Sequence, residues 1–77
     1  MRAVVTGASR GIGFEYVRQL AARGDSVVAA VRDPARADAV RGIAGDVTIL
    51  PLDVSDAASV AAFADALGSA PLDLLVN

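Results

Sequence analysis

From Thr6 to Gly13 the chain reads Thr-Gly-Ala-Ser-Arg-Gly-Ile-Gly, so that three glycines recur with the spacing G-x-x-x-G-x-G. A short apolar run rich in β-branched residues precedes this segment, and apolar residues at helical spacing follow it. The pattern therefore predicts a buried strand that turns through a glycine-rich loop into a helix. Neither the spacing G-x-G-x-x-G nor the lysine of a P-loop is present.

The three glycines each suit a different structural demand of such a loop. We expect Gly7 to allow a sharp turn out of the strand, Gly11 to let the backbone approach a pyrophosphate, and Gly13 to let helix and sheet pack closely. Free N–H groups and the positive end of the helix dipole would then favour phosphate. The alternative, that the glycines only form turns, is disfavoured by the strand–loop–helix context. The candidate binding residues of the loop are Gly7, Ser9, Arg10, Gly11, Ile12 and Gly13.

Strands and helices alternate along the rest of the chain. Periodicity and turn residues predict strands at Arg2–Thr6, Ser26–Val31, Val47–Leu52 and Leu72–Val76. They predict helices from Ile12 to Arg23, from Asp33 to Gly42, and from Ser55 or Asp56 to Gly68. Near-continuous apolar strands separated by helices indicate a parallel sheet that is covered on both faces. The expected fold is α/β, a doubly wound parallel sheet of the Rossmann type, truncated to βαβαβαβ with strand order 3-2-1-4.

The helical patterns also predict which side chains pack. Tyr16, in the middle of the first helix, is expected to pack among its apolar neighbours. The third helix is expected to bury one face, formed by Val60, Phe63, Ala64 and Leu67. Residues 1–77 then make one small domain, with no second domain.

The composition narrows the classes of protein to which the chain can belong. It is 55% hydrophobic with a net charge of −2, which excludes a disordered chain. It has no cysteine and no histidine, so neither disulfides nor a metal site are expected. No basic block indicates nucleic acid, and no apolar run reaches the roughly 20 residues that span a bilayer. Without a signal-peptide pattern at the N-terminus, we expect a cytoplasmic protein.

The end of the second strand indicates which dinucleotide the fold would bind. An acid there would accept hydrogen bonds from a ribose 2′-hydroxyl, whereas an arginine suits a 2′-phosphate. The strand ends at Arg32, which with Arg10 could hold such a phosphate, so the sequence favours NADP(H) over NAD(H). The alternative is that Arg32 is an ordinary solvated charge. Asp33 precedes Pro34 and is interpreted as a helix cap instead of a ribose acceptor.

Two further candidates follow the third and fourth strands. Asp53, with Val54 beside it, lies at the edge where parallel strands end, and its carboxylate could accept a hydrogen bond from an adenine amino group. Helix capping is an equally good interpretation of Asp53, and both roles can hold at once. Asn77 ends the fourth strand at the point where the strand order reverses, so it could contact the cofactor.

Together these residues resemble the N-terminal part of a short-chain dehydrogenase/reductase. Residues 6–13 match that family's Thr-Gly-x-x-x-Gly-x-Gly loop, and Leu52–Val54 matches its adenine-contacting aspartate. Residues 72–77 match the strand that leads into the family's Asn-Asn-Ala-Gly motif, whose first asparagine is Asn77 here. Residues 14–20 also resemble the subgroup of C-factor and sniffer-type carbonyl reductases.

The resemblance implies hydride transfer between NADPH and a carbonyl or alcohol in a protein that is usually a homo-oligomer. The family's catalytic Ser and Tyr-x-x-x-Lys are not among these 77 residues, which contain no lysine, so no catalytic residue is assigned. Three interpretations stay open. The chain is the NADP(H)-binding part of such an enzyme, or a non-catalytic dinucleotide-binding module, or an assembly-prone structural fragment that pairs through an uncovered fourth strand.

Overall fold

The computed structural model describes all residues from 1 to 77. Its elements, in chain order, are β1 Arg2–Thr6, α1 Gly11–Ala22, β2 Ser26–Val31, a 3₁₀ helix Pro34–Arg36, α2 Asp38–Arg41, β3 Val47–Pro51, α3 Ala57–Leu67 and β4 Leu74–Val76. Every pair of neighbouring strands is parallel, and the order across the sheet is β3-β2-β1-β4. The predicted α/β fold with strand order 3-2-1-4 is confirmed.

The sheet separates two apolar layers, because side chains alternate between its faces along each strand. On one face, Val5 and Val27 pack in a cluster with Val17 of α1. On the other face, Val28 packs in a cluster with Phe63 of α3. The central strands β1 and β2 are therefore covered on both sides, which explains why they read as continuous apolar runs.

The topology brings the ends of all four strands to one edge of the sheet. β1 continues through α1 to β2 on one side, while β4 pairs with the other side of β1, where Val4 is opposite Leu75. The chain order thus reverses between β1 and β4, and ligands of doubly wound sheets bind at that point. The residues that follow or end the strands at this edge are Gly7, Arg32, Asp53 and Asn77.

The second predicted helix is broken into two short pieces. Asp33 caps the first piece as predicted, since its side chain accepts a hydrogen bond from the Ala35 N–H at 3.1 Å. Ala37 then leaves the helical conformation, with φ −100° and ψ 38°. Its side chain is fully buried with Val40, so the chain bends inward to put both on the core. Burial of two apolar side chains outweighs the local preference for one continuous helix.

The edge strands are shorter than predicted. β3 ends at Pro51, although the Leu52 N–H still donates to the Val31 carbonyl at 2.8 Å, and proline is tolerated there because β3 is an edge strand. β4 begins at Leu74, since Asp73 is engaged with Arg2 before the ladder starts: the Asp73 N–H donates to the Arg2 carbonyl, and its carboxylate accepts from the Arg2 N–H at 2.7 Å.

Two predictions about helix packing are wrong. Tyr16 is 45% exposed, because it lies to one side of the stripe through which α1 contacts the sheet. On α3 only Phe63 is buried and Leu67 is half-buried, while Val60 is 44% exposed and Ala64 is also exposed. Val60 and Ala64 lie to one side of the line through Phe63 and Leu67, and both remain exposed there. An apolar stripe in the sequence indicates which side of a helix faces the sheet, but it does not indicate how many residues of that stripe are buried.

Candidate functional site

The glycine-rich loop has the geometry that its sequence predicts, with one correction. Gly7 and Gly11 have φ values of 60° and 64°, in the left-handed region that favours glycine, so the expected turn at Gly7 is confirmed. A Cβ on Gly13 would overlap the Gly7 carbonyl oxygen, and it would lie 2.9 Å from the Gly7 carbonyl carbon and 3.2 Å from Ala8 Cα. Gly13 therefore lets α1 approach the loop, where we had expected it to let the helix approach the sheet.

Buried contacts hold the loop in place from beneath. Ala8 is fully buried, and its N–H donates to the Ala30 carbonyl at the end of β2 at a distance of 3.2 Å. In contrast, the N–H groups of residues 9–13 have no hydrogen-bond acceptor in the chain. The N-cap residue Arg10 offers no side-chain cap to α1, and Ala37 offers none to α2, whereas Asp33 and Asp56 cap the 3₁₀ helix and α3. A row of free donors at a positive helix end is an anion-binding arrangement.

A cleft of about 430 Å³ opens beside this loop. Its lining residues are polar, charged or glycine: Gly7, Ser9, Arg10, Arg32, Asp33 and Arg36. The chain has seven arginines, and Arg10 and Arg32 are the two that make neither an ion pair nor a side-chain hydrogen bond within it. The structure thus brings both predicted arginines to one cleft and leaves their guanidinium groups free.

Sequence reasoning missed Arg36, which also lines this cleft. Arg36 lies in the 3₁₀ helix, and its Nε is 3.6 Å from Asp33 Oδ2. The signal that could have found it is its spacing. Arg36 comes three residues after the capping Asp33 and four after Arg32, and side chains at these spacings lie on the same side of a helical turn.

A second cleft of about 320 Å³ adjoins the first, and the two share Gly7 and Arg32. It is lined by Thr6, Gly7, Arg32, Leu52, Asp53, Val54, Ser55 and Asn77. The site residues predicted after the second, third and fourth strands therefore lie together along one continuous depression. In contrast, Gly11, Ile12 and Gly13 line neither cleft, and Ile12 is 78% exposed beside Tyr16 on the outer side of α1.

Asp53 is held by two serines that the sequence did not indicate. Its Oδ1 accepts hydrogen bonds from the Ser55 hydroxyl at 2.6 Å and the Ser55 N–H at 3.0 Å, and its own N–H donates to Ser59 Oγ at 2.9 Å. The Ser55 hydrogen bonds, aided by the charge of Arg32, hold the pKa of the Asp53 carboxyl below its usual range. Oδ2 has no partner within the chain and is available to a ligand.

The alternative role of Asp53 as the cap of α3 is wrong. Asp56 caps that helix, because its side chain accepts a hydrogen bond from the Ala58 N–H at 3.0 Å. Asp53 instead closes a tight turn onto Ser55, which fixes the direction of its carboxylate.

Asn77 is fixed across the point where the strand order reverses. The Thr6 hydroxyl, at the end of β1, donates to Asn77 Oδ1 at 2.8 Å. The side-chain NH₂ group of Asn77 makes no hydrogen bond within the chain, and Asn77 lines the second cleft. Thr6 is therefore a positioning residue, a role that the sequence did not indicate although Thr6 begins the glycine-loop motif.

A doubly wound parallel sheet with these clefts at its carboxyl ends defines an α/β protein of the dinucleotide-binding type. The model of the short chain dehydrogenase family matches residues 1–77, and the chain belongs to that family. A protein of Streptomyces antibioticus described as "Probable oxidoreductase" is 51% identical over 81 residues, covering 97% of this chain and 27% of that protein.

Two solved structures show the same likeness. The menthone neomenthol reductase from Mentha piperita is 42% identical with a TM-score of 0.84, over 99% of this chain and 30% of that one. A metagenomic short-chain oxidoreductase in complex with NADP is 40% identical with a TM-score of 0.85, over 97% of this chain and 37% of that one. The chain therefore spans 27% to 37% of the length of these relatives. The narrower resemblance to C-factor and sniffer-type reductases stays a prediction.

Two classes of feature are not found in the structure. No helix has both the length and the apolar character needed to cross a membrane. No group of histidine, cysteine, aspartate or glutamate side chains is arranged to hold a metal ion.

Proposed function

We propose that this chain forms the NADP(H)-binding part of a short-chain oxidoreductase that transfers hydride between NADPH and a carbonyl or alcohol substrate. The observation that carries the proposal is the first cleft, where the unpaired side chains of Arg10 and Arg32 adjoin the free N–H groups of the glycine loop. Free guanidinium groups form strong, charge-assisted hydrogen bonds with phosphate. NADP(H) has phosphate in two places, a pyrophosphate and a ribose 2′-phosphate. The free N–H groups of residues 9–13 would bind the first, and the arginine side chains of the cleft would bind the second.

The adenine end of the ligand would lie in the second cleft. Asp53 is ionised at neutral pH, since its pKa lies below the usual range, and its free Oδ2 can accept a hydrogen bond from the adenine amino group. Arg32 lines both clefts, so it would lie between the adenine and the 2′-phosphate. Val54 is 77% exposed there and offers an apolar surface to the ring.

Other residues would bind the remaining parts of the cofactor. Ser9, Gly11 and Gly13 contribute free N–H groups toward the pyrophosphate, and Ile12 would present an apolar side chain next to it. Asn77, held by Thr6, has a free NH₂ group at the point where the strand order reverses. The relative solved in complex with NADP supports this assignment, because it is 40% identical to this chain over the region where the two align.

The bound cofactor supplies the hydride, and the residues of this chain bind and orient it. No proton-transfer role is assigned to any of the 77 residues, which include no Tyr-x-x-x-Lys pattern. The carbonyl or alcohol substrate is proposed from the reductases and dehydrogenases among the relatives. A cytoplasmic location and the lack of nucleic-acid or membrane partners remain predictions from the sequence.

Calorimetric titration of the chain with NADPH and NADH tests the cofactor assignment. We expect saturable binding of NADPH, weaker binding of NADH, and a loss of about tenfold in NADPH affinity in Arg32→Gln and in Arg10→Gln. Arg18→Gln is the matched control, because it removes the same charge from a residue that lines neither cleft and is paired with Glu15. Equal affinities for both coenzymes, or equal losses in all three variants, would contradict the NADP(H) preference.

One observation favours a second candidate function, self-association through the outer strand. On β4 Leu75 is 60% exposed, and Leu72 just before it is 41% exposed. An open strand edge with exposed leucines can pair with another chain. Size-exclusion chromatography separates the two functions, because edge pairing predicts oligomers of the same size with and without NADPH.

A further inference from the structure

An ion pair lies at the rim of the first cleft, on the 3₁₀ helix that follows β2. Arg36 Nε is 3.6 Å from Asp33 Oδ2, and both side chains line the cleft. The other carboxylate oxygen, Asp33 Oδ1, accepts a hydrogen bond from the Ala35 N–H at 3.1 Å. One oxygen of Asp33 is therefore bound to the backbone, and the other faces Arg36.

Asp33 is also the first acidic residue after β2, directly following Arg32. A carboxylate in this part of a dinucleotide-binding fold accepts hydrogen bonds from a ribose 2′-hydroxyl and repels a 2′-phosphate. Its side chain is 57% exposed, so it is accessible to a ligand in the cleft. The same short segment thus contains an arginine suited to phosphate and an aspartate suited to a hydroxyl group.

We propose that Arg36 determines the coenzyme preference of this site by pairing with Asp33. The inference rests on the proposed function, since it assumes that the cleft receives the adenosine ribose. With the pair intact, the guanidinium of Arg36 lies beside Asp33 Oδ2 and compensates its charge, so the cleft accepts a 2′-phosphate. Without Arg36, the free carboxylate repels the phosphate and accepts the 2′-hydroxyl of NAD(H).

The charges around the cleft support this assignment. Its charged lining consists of three arginines and one aspartate, a net charge of +2. A phosphate monoester has a charge of about −1.5 to −2 at neutral pH, so the lining and the phosphate are matched. Loss of Arg36 lowers the net charge of the lining from +2 to +1 and leaves Asp33 unpaired. Both changes weaken the binding of the 2′-phosphate.

The pair is suited to a test by substitution because it contributes little to folding. The Arg36 side chain is 89% exposed, and exposed ion pairs of this kind have small effects on stability. Asp33→Asn keeps an oxygen for the Ala35 N–H, since asparagine is as good an N-cap as aspartate. Arg18→Gln is the matched control: Arg18 also follows its acidic partner, Glu15, by three residues, but lines neither cleft.

The experiment measures dissociation constants for NADPH and NADH in the unchanged chain, Arg36→Gln, Asp33→Asn, the double variant and Arg18→Gln, with far-UV circular dichroism on each. We expect Arg36→Gln to lower NADPH affinity about tenfold, with NADH affinity kept or improved. Adding Asp33→Asn to Arg36→Gln should restore most of the preference for NADPH, because the repelling carboxylate is then gone. Arg18→Gln should leave the preference unchanged.

The outcomes separate this inference from the proposed function. If the unchanged chain prefers NADPH and Arg36→Gln has the same preference, the inference is wrong and the proposed function stands. If the double variant is no better than Arg36→Gln, Arg36 acts only as one more cation and the role of Asp33 is refuted. If the folded, unchanged chain binds neither coenzyme, the proposed function fails, and this inference fails with it.

Discussion

Replacement of Gly13 by alanine tests the close contact between α1 and the glycine loop. The added Cβ would overlap the carbonyl group of Gly7 and would approach Ala8 Cα to 3.2 Å. All of these neighbours are backbone atoms, so no side chain can rotate away to make room. Either the loop or the start of α1 has to move, and both belong to the site.

The expected cost follows from two opposing effects. Overpacking against rigid atoms costs about 1–3 kcal/mol, and the backbone contacts at Gly13 place this variant at the upper end. Alanine favours the helix over glycine by about 1 kcal/mol, which offsets part of that cost. The net loss of about 2 kcal/mol is a large fraction of the roughly 4–12 kcal/mol expected for a domain of this size. It corresponds to a fall of roughly 8–16 °C in Tm.

Thermal unfolding followed by circular dichroism measures this loss, and Gly42→Ala is the control. A Cβ on Gly42 would lie 3.5 Å from the Ala39 carbonyl oxygen, an ordinary contact, and the backbone there is already right-handed helical with φ −77°. That variant should be neutral or stabilised by up to about 1 kcal/mol, because alanine restricts the unfolded chain. A Gly13→Ala chain as stable as the unchanged one, or a Gly42→Ala chain that loses as much, would refute the steric argument.

Two further predictions concern pH. NADP⁺ should bind less tightly as the pH falls through about 6, because the 2′-phosphate gains a proton there and attracts Arg10 and Arg32 less. NAD⁺ binding should not change over the same pH range. Calorimetry at several pH values checks this, and parallel losses of affinity for both coenzymes would contradict it. At Asp25, burial by itself would raise the carboxyl pKa, but the hydrogen bond and charge of Arg23 and of the Met1 amino group outweigh it and hold the pKa below its usual range. A lowered folded-state pKa contributes stability above the unfolded pKa of about 3.9 and loses it as the pH falls through the folded value. Asp25→Asn should therefore lower Tm at neutral pH, and the difference in Tm from the unchanged chain should shrink below about pH 4. A difference in Tm that stays constant with pH would contradict the stabilising role of the Asp25 carboxylate.

Local signals account for most of the fold prediction. The β-branched run before Gly7 and the helical spacing after it needed no long-range information, because strand and helix periods are properties of neighbouring residues. Once the elements were known, the right-handed crossover rule left few strand orders, and 3-2-1-4 is the one typical of a doubly wound sheet. The break in the second helix at Ala37 could not be predicted from local signals, because it depends on the burial of the Ala37 side chain against distant residues.

Some residues of the candidate site could likewise be predicted from local signals, and others could not. Arg32, Asp53 and Asn77 could be selected from the sequence, because each lies within two residues of the end of a strand and all parallel strands end at one edge. The Ser55 hydroxyl that orients Asp53 and the Thr6 hydroxyl that holds Asn77 could not be selected. Serine and threonine hydroxyls occur on most surfaces, and only their distances distinguish these two from the rest.

The sequence by itself determined the alternation of strands and helices, the position of the glycine-rich loop and the residues at the strand ends, since these depend on short-range periodicity and on the backbone freedom of glycine. Only the tertiary structure decided that Arg10 and Arg32, which come from the glycine loop and the end of β2, lie in one cleft and have no partner in the chain. Whether a charge is free or compensated depends on all the groups within a few ångströms of it. Residues far apart along the chain supply those groups, so the fold has to form before the electrostatics of the site exist.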